Sequence, residues 1–173
     1  SHSSLASNIR FRSGSTVTML MDSTGAMTKP LQPCFHAISN AHQTISSLNT
    51  AVTINFATER FDQNSDFDNT NMVFTAPVTG KYLLTTSLYL FNSLDSAATY
   101  YYMDLVTSNE TIDVYFATNT ILNSDTNGFN FQASGIMDMD ASDTAKVRMY
   151  QSGGSAQTQV ASGVSHFTGA LIC

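Results

Sequence analysis

Short segments in which apolar and polar residues alternate recur along the chain, and no segment past residue 33 shows helical periodicity. Regularly spaced strands separated by turn residues are typical of a β-sandwich or barrel. The pattern therefore predicts an all-β fold for residues 34–173. We predict ten strands, near residues 34–39, 42–46 (an edge piece), 51–56, 71–75, 80–92, 98–107, 110–117, 127–139, 143–151 and 164–172.

Two of these segments differ in how their polar residues are arranged. The 143–151 segment alternates cleanly, with Val147 on its apolar face and Arg148 on its polar face, which is typical of a strand with one side in water. Residues 82–91 are apolar on both faces. One of those faces would be a large exposed patch in a monomer, so we expect contact between copies of the chain to cover it.

The first 33 residues form a separate region. Residues 8–30 alternate in short segments with tight turns, and they are too few to bury their own apolar side chains. Two prolines then stiffen the chain, because proline fixes φ and favours extended neighbours. We predict a β-rich stalk segment at residues 1–29, a proline linker at 30–33 and a head domain at 34–173.

Residues 61–84 contain a longer motif, in which an aromatic–acid pair precedes a strand that ends at a proline, followed by a turn. Its matching positions are Phe67, Asp68, Phe74, Thr75, Ala76, Pro77, Gly80 and Tyr82. This motif resembles the central signature of the C1q-like domain, a jelly roll of the C1q/tumour-necrosis-factor superfamily. Two positions depart from the family pattern, since residues 71–73 lack its first glycine and Leu84 replaces its final aromatic residue.

Two further segments extend the resemblance over residues 34–173. Residues 143–147 resemble the family's G-D-x-V segment, with Ser142 in place of the glycine, and residues 167–171 resemble its last strand. The resemblance implies a ten-stranded C1q/TNF-like jelly-roll sandwich that assembles as a homotrimer. We expect the trimer interface or the core to contain Phe35, Tyr82, Leu84, Tyr89, Phe91 and Phe167.

The two cysteines, Cys34 and Cys173, have a spacing that fits no zinc or redox motif. In the family topology the first strand pairs with the last, which implies that these residues meet at the base of the head. Whether they form a disulfide or stay adjacent free thiols is left open. His36 and His166 fall on the same two strands, where solvated or hydrogen-bonded imidazoles are expected ahead of a site at a threefold axis.

Composition narrows the classes of partner. Charged residues make up 12% of the chain, well below the roughly 25% of ordinary domains. Net charge is −6, divided as +2 over residues 1–33 and −8 over residues 34–173, so we expect no nucleic-acid partner. No apolar segment is long enough to span a membrane. A surface of uncharged polar residues is typical of extracellular and virion proteins.

Candidate chemistry is sparse. Asp138, Asp140 and Asp143 are weak calcium candidates because carboxylate oxygens suit that ion, yet the full calcium-loop spacing is missing, and aspartates in loops usually cap turns. No nucleophile motif or suitable histidine–acid set is visible, so we expect neither an enzyme nor a bound cofactor.

Consecutive tyrosines at 100–102 place rings on both faces of a strand, with Tyr100 and Tyr102 beside Asp104 and Tyr101 on the face of Met103. Tyrosine beside an acid is a familiar composition for binding glycans or proteins. Core packing and the filling of an edge strand explain it nearly as well.

These observations favour a non-enzymatic trimeric head at the tip of a virion appendage. Residues 21–35 resemble segments upstream of C1q-like heads in tail-fibre and related appendage proteins of marine bacteriophages. The resemblance implies a host-surface glycan or protein as partner, reached through loops such as 92–98 and 152–163, and other virion proteins held through the stalk. Two alternatives are a structural trimerisation, capping or capsid-decoration module, and a secreted cellular C1q-like binding protein.

Overall fold

The computed structural model describes residues 8–92 and 94–173, and all regular secondary structure in this part of the chain is β-strand. The chain forms two compact units, one ending at Gln32 and one running from Pro33 to Cys173, and each is described by itself. No helix in the described residues is long and apolar enough to cross a membrane.

The first unit is a three-stranded antiparallel sheet of β1 (Ile9–Ser13), β2 (Thr16–Met21) and β3 (Met27–Thr28). Asp22 caps the turn before β3, where its Oδ1 accepts hydrogen bonds from the backbone N–H groups of Thr24 (2.8 Å) and Ala26 (3.0 Å). Gly25 in the same turn has φ +88°, which favours glycine. The role of this unit as a stalk stays a prediction.

The second unit contains thirteen strands among its described residues. They are β4 (Cys34–Ile38), β5 (Gln43–Thr44), β6 (Val52–Thr53), β7 (Thr58–Gln63), β8 (Phe67–Asp68), β9 (Val73–Thr75), β10 (Gly80–Phe91), β11 (Tyr100–Thr107), β12 (Thr111–Phe116), β13 (Phe129–Met139), β14 (Thr144–Ser152), β15 (Gln159–Val160) and β16 (His166–Leu171). All pairings between them are antiparallel.

The strands form two sheets. Sheet I has the order β5-β15-β10-β16-β4-β7, with β13 also paired to β10. Sheet II has the order β12-β11-β14-β9-β8, with β6 also paired to β14. The first strand of the head, β4, pairs with the last, β16, and Cys34 lies opposite Ala170. This confirms the pairing of first and last strands that the family resemblance implies.

The apolar core lies between the sheets. Phe35 is at its centre, with ring centroids 5.0 Å from Phe67 and 4.8 Å from Phe74, both nearly parallel. Gly169 lies directly against this cluster, and a Cβ atom there would come within 2.5 Å of Phe35 Cε1 and 2.7 Å of Leu84 Cδ2. Glycine is required at that point because β16 passes so close to the packed rings.

The residues of the sequence motif serve packing and chain direction. Phe67 and Phe74 are in the core, and β9 ends two residues before Pro77. The backbone N–H of Ala76 donates to the Asp143 carbonyl at 2.8 Å, and the Tyr82 hydroxyl donates to the Val78 carbonyl at 2.7 Å. The motif therefore fixes the turn that leads from β9 into β10.

The all-β sandwich class is confirmed, whereas the predicted count of ten strands is lower than the thirteen observed. The pattern missed β7 because Glu59, Arg60 and Asp62 interrupt its apolar alternation. β7 lies at the edge of sheet I beside β4, where charged side chains reach water and protect the open edge. β8 and β15 have two residues each, which is too few to show a period.

Candidate functional site

The sheet I face, meaning the side chains of β4, β7, β10, β13 and β16 that point away from the core together with Val164, has the largest group of exposed apolar residues in the head. Leu83 and Ile136 are directly opposed on β10 and β13, and they are 41% and 63% exposed. The other three are Phe61 on β7, Tyr89 on β10 and Val164 just before β16, which lies beside Tyr89.

Between these apolar residues the sheet I face is polar but uncharged. Thr85 Oγ1 and Ser134 Oγ are 3.0 Å apart across β10 and β13, and the Ser87 hydroxyl donates to Asn130 Oδ1 at 3.0 Å. A depression of about 380 Å³ opens over the same two strands and reaches His166. No carboxylate or ammonium group projects from the face between Leu83 and Tyr89 on β10 or between their partners on β13.

Two histidines lie on this face. The rings of His36 on β4 and His166 on β16 have centroids 5.8 Å apart, and Phe61 contacts His36 edge-on at 6.0 Å. Burial, then the positive charges of His166 and Arg60, lower the pKa of His36. The face therefore holds His36 in its neutral form.

The six residues predicted for the interface or core divide between those two places. Phe35, Tyr82, Leu84 and Phe167 are fully buried in the core of a single chain. Tyr89 projects from the sheet I face, and Phe91 is half-buried against His42, with ring centroids 4.4 Å apart. The sequence of residues 82–91 predicts which residues share a side of the strand, but not which side faces the core. It also does not predict that Ile136, Phe61 and Val164, from other segments, lie on the sheet I face.

The loops predicted for binding lie at the end of the head where β10 and β14 finish, and they are joined to one another. Asp95 is buried, and its carboxylate accepts hydrogen bonds from the backbone N–H groups of Ala97 (2.8 Å) and Ser155. Asp125 accepts from the Ser96 N–H at 2.9 Å and from Gln157 Nε2 at 2.7 Å. These bonds hold three loops in fixed relation and leave their role in binding a prediction.

The three aspartates predicted as weak calcium candidates form an ion pair and hydrogen bonds with neighbouring residues. Asp138 pairs with Lys81 at 2.5 Å, and Asp143 Oδ2 accepts hydrogen bonds from the Asp140 N–H at 2.8 Å and from Asn109 Nδ2 at 2.6 Å. Within residues 8–92 and 94–173, no group of three or more His, Cys, Asp or Glu side chains is arranged to hold a metal ion. The calcium site stays a prediction.

The two cysteines are free thiols at one end of sheet I. Cys34 begins β4 opposite Ala170, and the backbone carbonyl of Cys173 accepts a hydrogen bond from Lys81 N–H at 2.7 Å beside the start of β10. Burial, then the negative charge of Asp62, raise the pKa of the Cys34 thiol.

A second surface, the tyrosine cluster, comprises Tyr100, Tyr102, Tyr115 and Tyr150 on the side of sheet II that faces away from the core. The sequence singled out the first two. Tyr101 lies on the same face as Met103, as predicted, and the structure shows that this face is in the core. Tyr115 and Tyr150 join them because both lie opposite Tyr102 in the strand register. In the sequence, the only indication that Tyr115 and Tyr150 face outward is their place in the alternation of residues 110–117 and 143–151.

Comparisons with known proteins bear on the fold. No protein-family model matches the chain, and no curated protein matches it. Among solved structures, the globular domain of zebrafish complement 1qA protein is similar, with 16% identity and a TM-score of 0.56 over 82% of this chain and 98% of that chain. The chain has a C1q/TNF-like jelly-roll fold.

Two crystal structures of murine APRIL agree with this assignment. Each is 8% identical over 82% of this chain and 99% of that chain, with TM-scores of 0.58 and 0.56. At such identities the likeness of the C1q/TNF-like head is one of fold alone. The resemblance of residues 21–35 to bacteriophage segments stays a prediction.

Proposed function

We propose that residues 33–173 are a non-enzymatic binding head that assembles as a homotrimer through the sheet I face. The observation that carries this is the set of exposed apolar residues on that one face, since sheet II offers only Tyr115 among large hydrophobics of comparable exposure on its strands. Exposed large apolar side chains concentrated on one face of a domain are a usual mark of an interaction surface.

The chemistry of the face favours a second copy of the same chain as its partner. Its centre is uncharged, so copies brought together there bury no like charges and leave no carboxylate without a partner. The serine, threonine and glutamine side chains between the apolar residues can exchange hydrogen bonds across an interface. A closed symmetric assembly covers the patch completely, and the C1q/TNF-like fold supports three copies as the number.

In this proposal the assembled head is the exposed end of an appendage, either at the tip of a virion fibre or on an extracellular protein. The low charge and the polar uncharged surface support an exposed setting. Loops at the end of the head remote from Pro33 and the outward side of sheet II stay open for a glycan or protein of a cell surface. The N-terminal unit, with Ile9, Phe11 and Met27 exposed, is available to join other appendage proteins.

Assembly is tested by light scattering during size-exclusion chromatography of the full chain. We expect the mass of a trimer for the wild-type protein, and monomer or aggregate for Leu83→Asp and for Tyr89→Asp. Thr111→Asp, which adds the same charge to an exposed position of sheet II, is the matched control and should stay trimeric. A wild-type protein that is a stable monomer at micromolar concentration would refute the proposal.

Contact with a cell surface is tested separately, by binding of purified full-length protein to candidate host cells and to an oligosaccharide array. Deletion of residues 33–173 distinguishes the binding role from a structural one. Loss of adhesion with an intact appendage supports the binding head, whereas loss of appendage assembly supports a trimerisation or capping module.

A further inference from the structure

The tyrosine cluster has a geometry that core packing does not account for. Tyr102 on β11 stacks on Tyr150 of β14 with ring centroids 4.6 Å apart and planes within 12°, and Tyr100 lies 5.8 Å from Tyr150. Tyr115 on β12 meets Tyr102 at 5.1 Å with its plane tilted by 41°. The rings pack on one another, on the side of the sheet away from the core, and Tyr115 is 62% exposed.

Charged groups continue the cluster along the same face. Asp104 follows Tyr102 by one strand period, is 2% exposed and forms an ion pair with Arg148 at 2.5 Å. Asp113 is directly opposite Asp104 on β12, and Lys146 is one strand period from Arg148. Two carboxylates and two cations therefore lie beside the rings, and the patch carries no net charge.

Part of this polar group lacks a partner. Asp104 Oδ1 and Arg148 Nε are buried and have no donor–acceptor partner within the protein, and the Asp113 carboxyl can bond to Asp104 only when one of the two is protonated. Burial raises the pKa of Asp104, and Asp113 raises it further, while the ion pair with Arg148 opposes both. A buried acceptor and a buried donor without hydrogen-bond partners are costly on a surface that only covers a sheet, because each group has lost its water.

We propose that the tyrosine cluster, with the exposed Asp113 beside it and Arg148 held in place by the buried Asp104, binds a neutral saccharide. A sugar presents an apolar C–H face that packs on aromatic rings, and hydroxyl groups that both donate and accept hydrogen bonds, which matches carboxylates and a guanidinium side by side. Tyrosine provides large, rigid contact area at low cost in conformational entropy. The inference rests on the binding role proposed above and names a site and ligand class for it.

Other ligand chemistries fit this surface less well. A cationic ligand gains from the rings and from Asp113, but it is repelled by Arg148 and Lys146. A phosphate or sulfate gains from those cations and is repelled by Asp104 and Asp113. A ligand without charge meets neither penalty.

The position of the cluster suits a multivalent head. Sheets I and II lie on opposite sides of the core, so assembly through the sheet I face leaves the cluster of each copy on the outside. Three weak sites on one rigid head then gain avidity for a surface that displays many copies of the same sugar.

The experiment uses the full chain on an array of neutral, sialylated and sulfated oligosaccharides, with choline and inorganic phosphate as charged probes in solution. Neutral saccharides that bind are then titrated by intrinsic fluorescence. The chain has no tryptophan and seven tyrosines, four of which form the cluster, so a change at the cluster alters the tyrosine emission. We expect at least one neutral saccharide to bind and to change that emission.

Variants locate the site. Tyr115→Ala and Tyr102→Ala should weaken binding roughly tenfold or more, the usual effect of removing an aromatic anchor, whereas Tyr115→Phe keeps the ring and should retain most of the affinity. Thr111→Ala, exposed on the same strand as Tyr115, is the control and should bind like the wild type. The melting temperature of each variant is measured, and Tyr115→Ala should match the wild type because its side chain is exposed.

The inference is overturned if no neutral saccharide binds, if binding is unchanged in both alanine variants, or if only charged glycans, choline or phosphate bind. Light scattering on the same samples separates this result from that of assembly. A wild-type trimer without saccharide affinity refutes the tyrosine site alone, and a monomer whose saccharide binding depends on Tyr115 refutes the assembly alone.

Discussion

At the scale of single residues, the pair of Asp104 and Arg148 is the least balanced interaction in the head. Asp104 is almost fully buried, whereas Arg148 keeps about a third of its side chain in solvent. The desolvation of the carboxylate therefore depends on one guanidinium for compensation. The negative charge of Asp113, opposite Asp104 on the neighbouring strand, adds repulsion. Within residues 8–92 and 94–173, no other ion pair has a buried carboxylate.

Replacing Arg148 with Met should destabilise the head by about 3 kcal/mol, the lower limit for a broken buried pair, because Arg148 is partly exposed. The double variant Asp104→Leu with Arg148→Met should be more stable than Arg148→Met alone, since it leaves no charge buried without a partner. Urea unfolding followed by circular dichroism measures both.

The pH dependence of the stability of Arg148→Met tests whether the unpaired Asp104 carboxylate causes its loss of stability. With the cation gone, the pKa of Asp104 rises further, so the folded state binds a proton that the unfolded state has released. Stability of the variant relative to the wild type should therefore improve as pH falls from neutral. An equal deficit at all pH values would show that lost packing, and not the unpaired carboxylate, is responsible.

At the scale of strands, the long segments with a clear apolar pattern are the ones that could be predicted from the sequence. The residues of β13 and β14 alternate over nine or more positions, and β10 contains a long segment that is apolar on both faces, so each of these strands was predicted within a few residues. β7 could not be found in this way because its edge position selects charge and not alternation. Its contribution of Phe61 to the sheet I face was missed with it.

The two candidate surfaces were only partly predictable, because each depends on strand register. Alternation places Tyr100 and Tyr102 together, but the arrival of Tyr115 and Tyr150 requires that β11 lie between β12 and β14 in one particular alignment. Likewise, Leu83 and Ile136 are 53 positions apart, and only the β10–β13 ladder makes them neighbours. A shift of one residue would turn either set toward the core.

The terminal strands provide a prediction at this scale, through the accessibility of the two thiols. Cys173 is exposed, whereas Cys34 is half-buried on β4 with a raised pKa, so less of its thiolate is present at neutral pH. A thiol reagent such as Ellman's should therefore modify Cys173 quickly and Cys34 slowly. Cys173→Ser should remove the fast phase and Cys34→Ser the slow one.

The same thiols bear on the disulfide that the sequence left open. Because both are free, reductant should leave the melting temperature of the native protein unchanged. Failure of either thiol to react without prior reduction would instead indicate a bond between them.

At the scale of the whole molecule, the sheet I face is the surface through which the proposed trimer assembles, and each copy contributes the same side chains to the interface. Residues that were ambiguous in the sequence become distinct here: Tyr82 and Leu84 stabilise the single chain, while Leu83 and Tyr89 are left for other copies. In a homotrimer this face loses its remaining water. The two histidines on it then meet a more strongly desolvating environment than in the single chain.

The last prediction follows from those histidines and concerns acid sensitivity. The pKa of His36 in the folded chain is lowered by burial, with His166 and Arg60 adding to the effect. A base whose folded pKa is lowered contributes stability that is fully present above its unfolded pKa, about 6.5, and is lost as pH falls below that value. Both melting temperature and trimer mass should therefore decrease between about pH 7.5 and about pH 5.5.

His36→Gln should flatten this dependence, because glutamine has no proton to gain over this pH range. Thr111→Gln, at an exposed position of sheet II, is the control, and we expect it to retain the wild-type slope because it changes no titratable group. Scanning calorimetry and light scattering across the pH series measure the two quantities on the same samples. A wild-type protein equally stable at both ends of the range, or an unchanged slope in His36→Gln, would show that the sheet I face does not hold His36 neutral in the assembly.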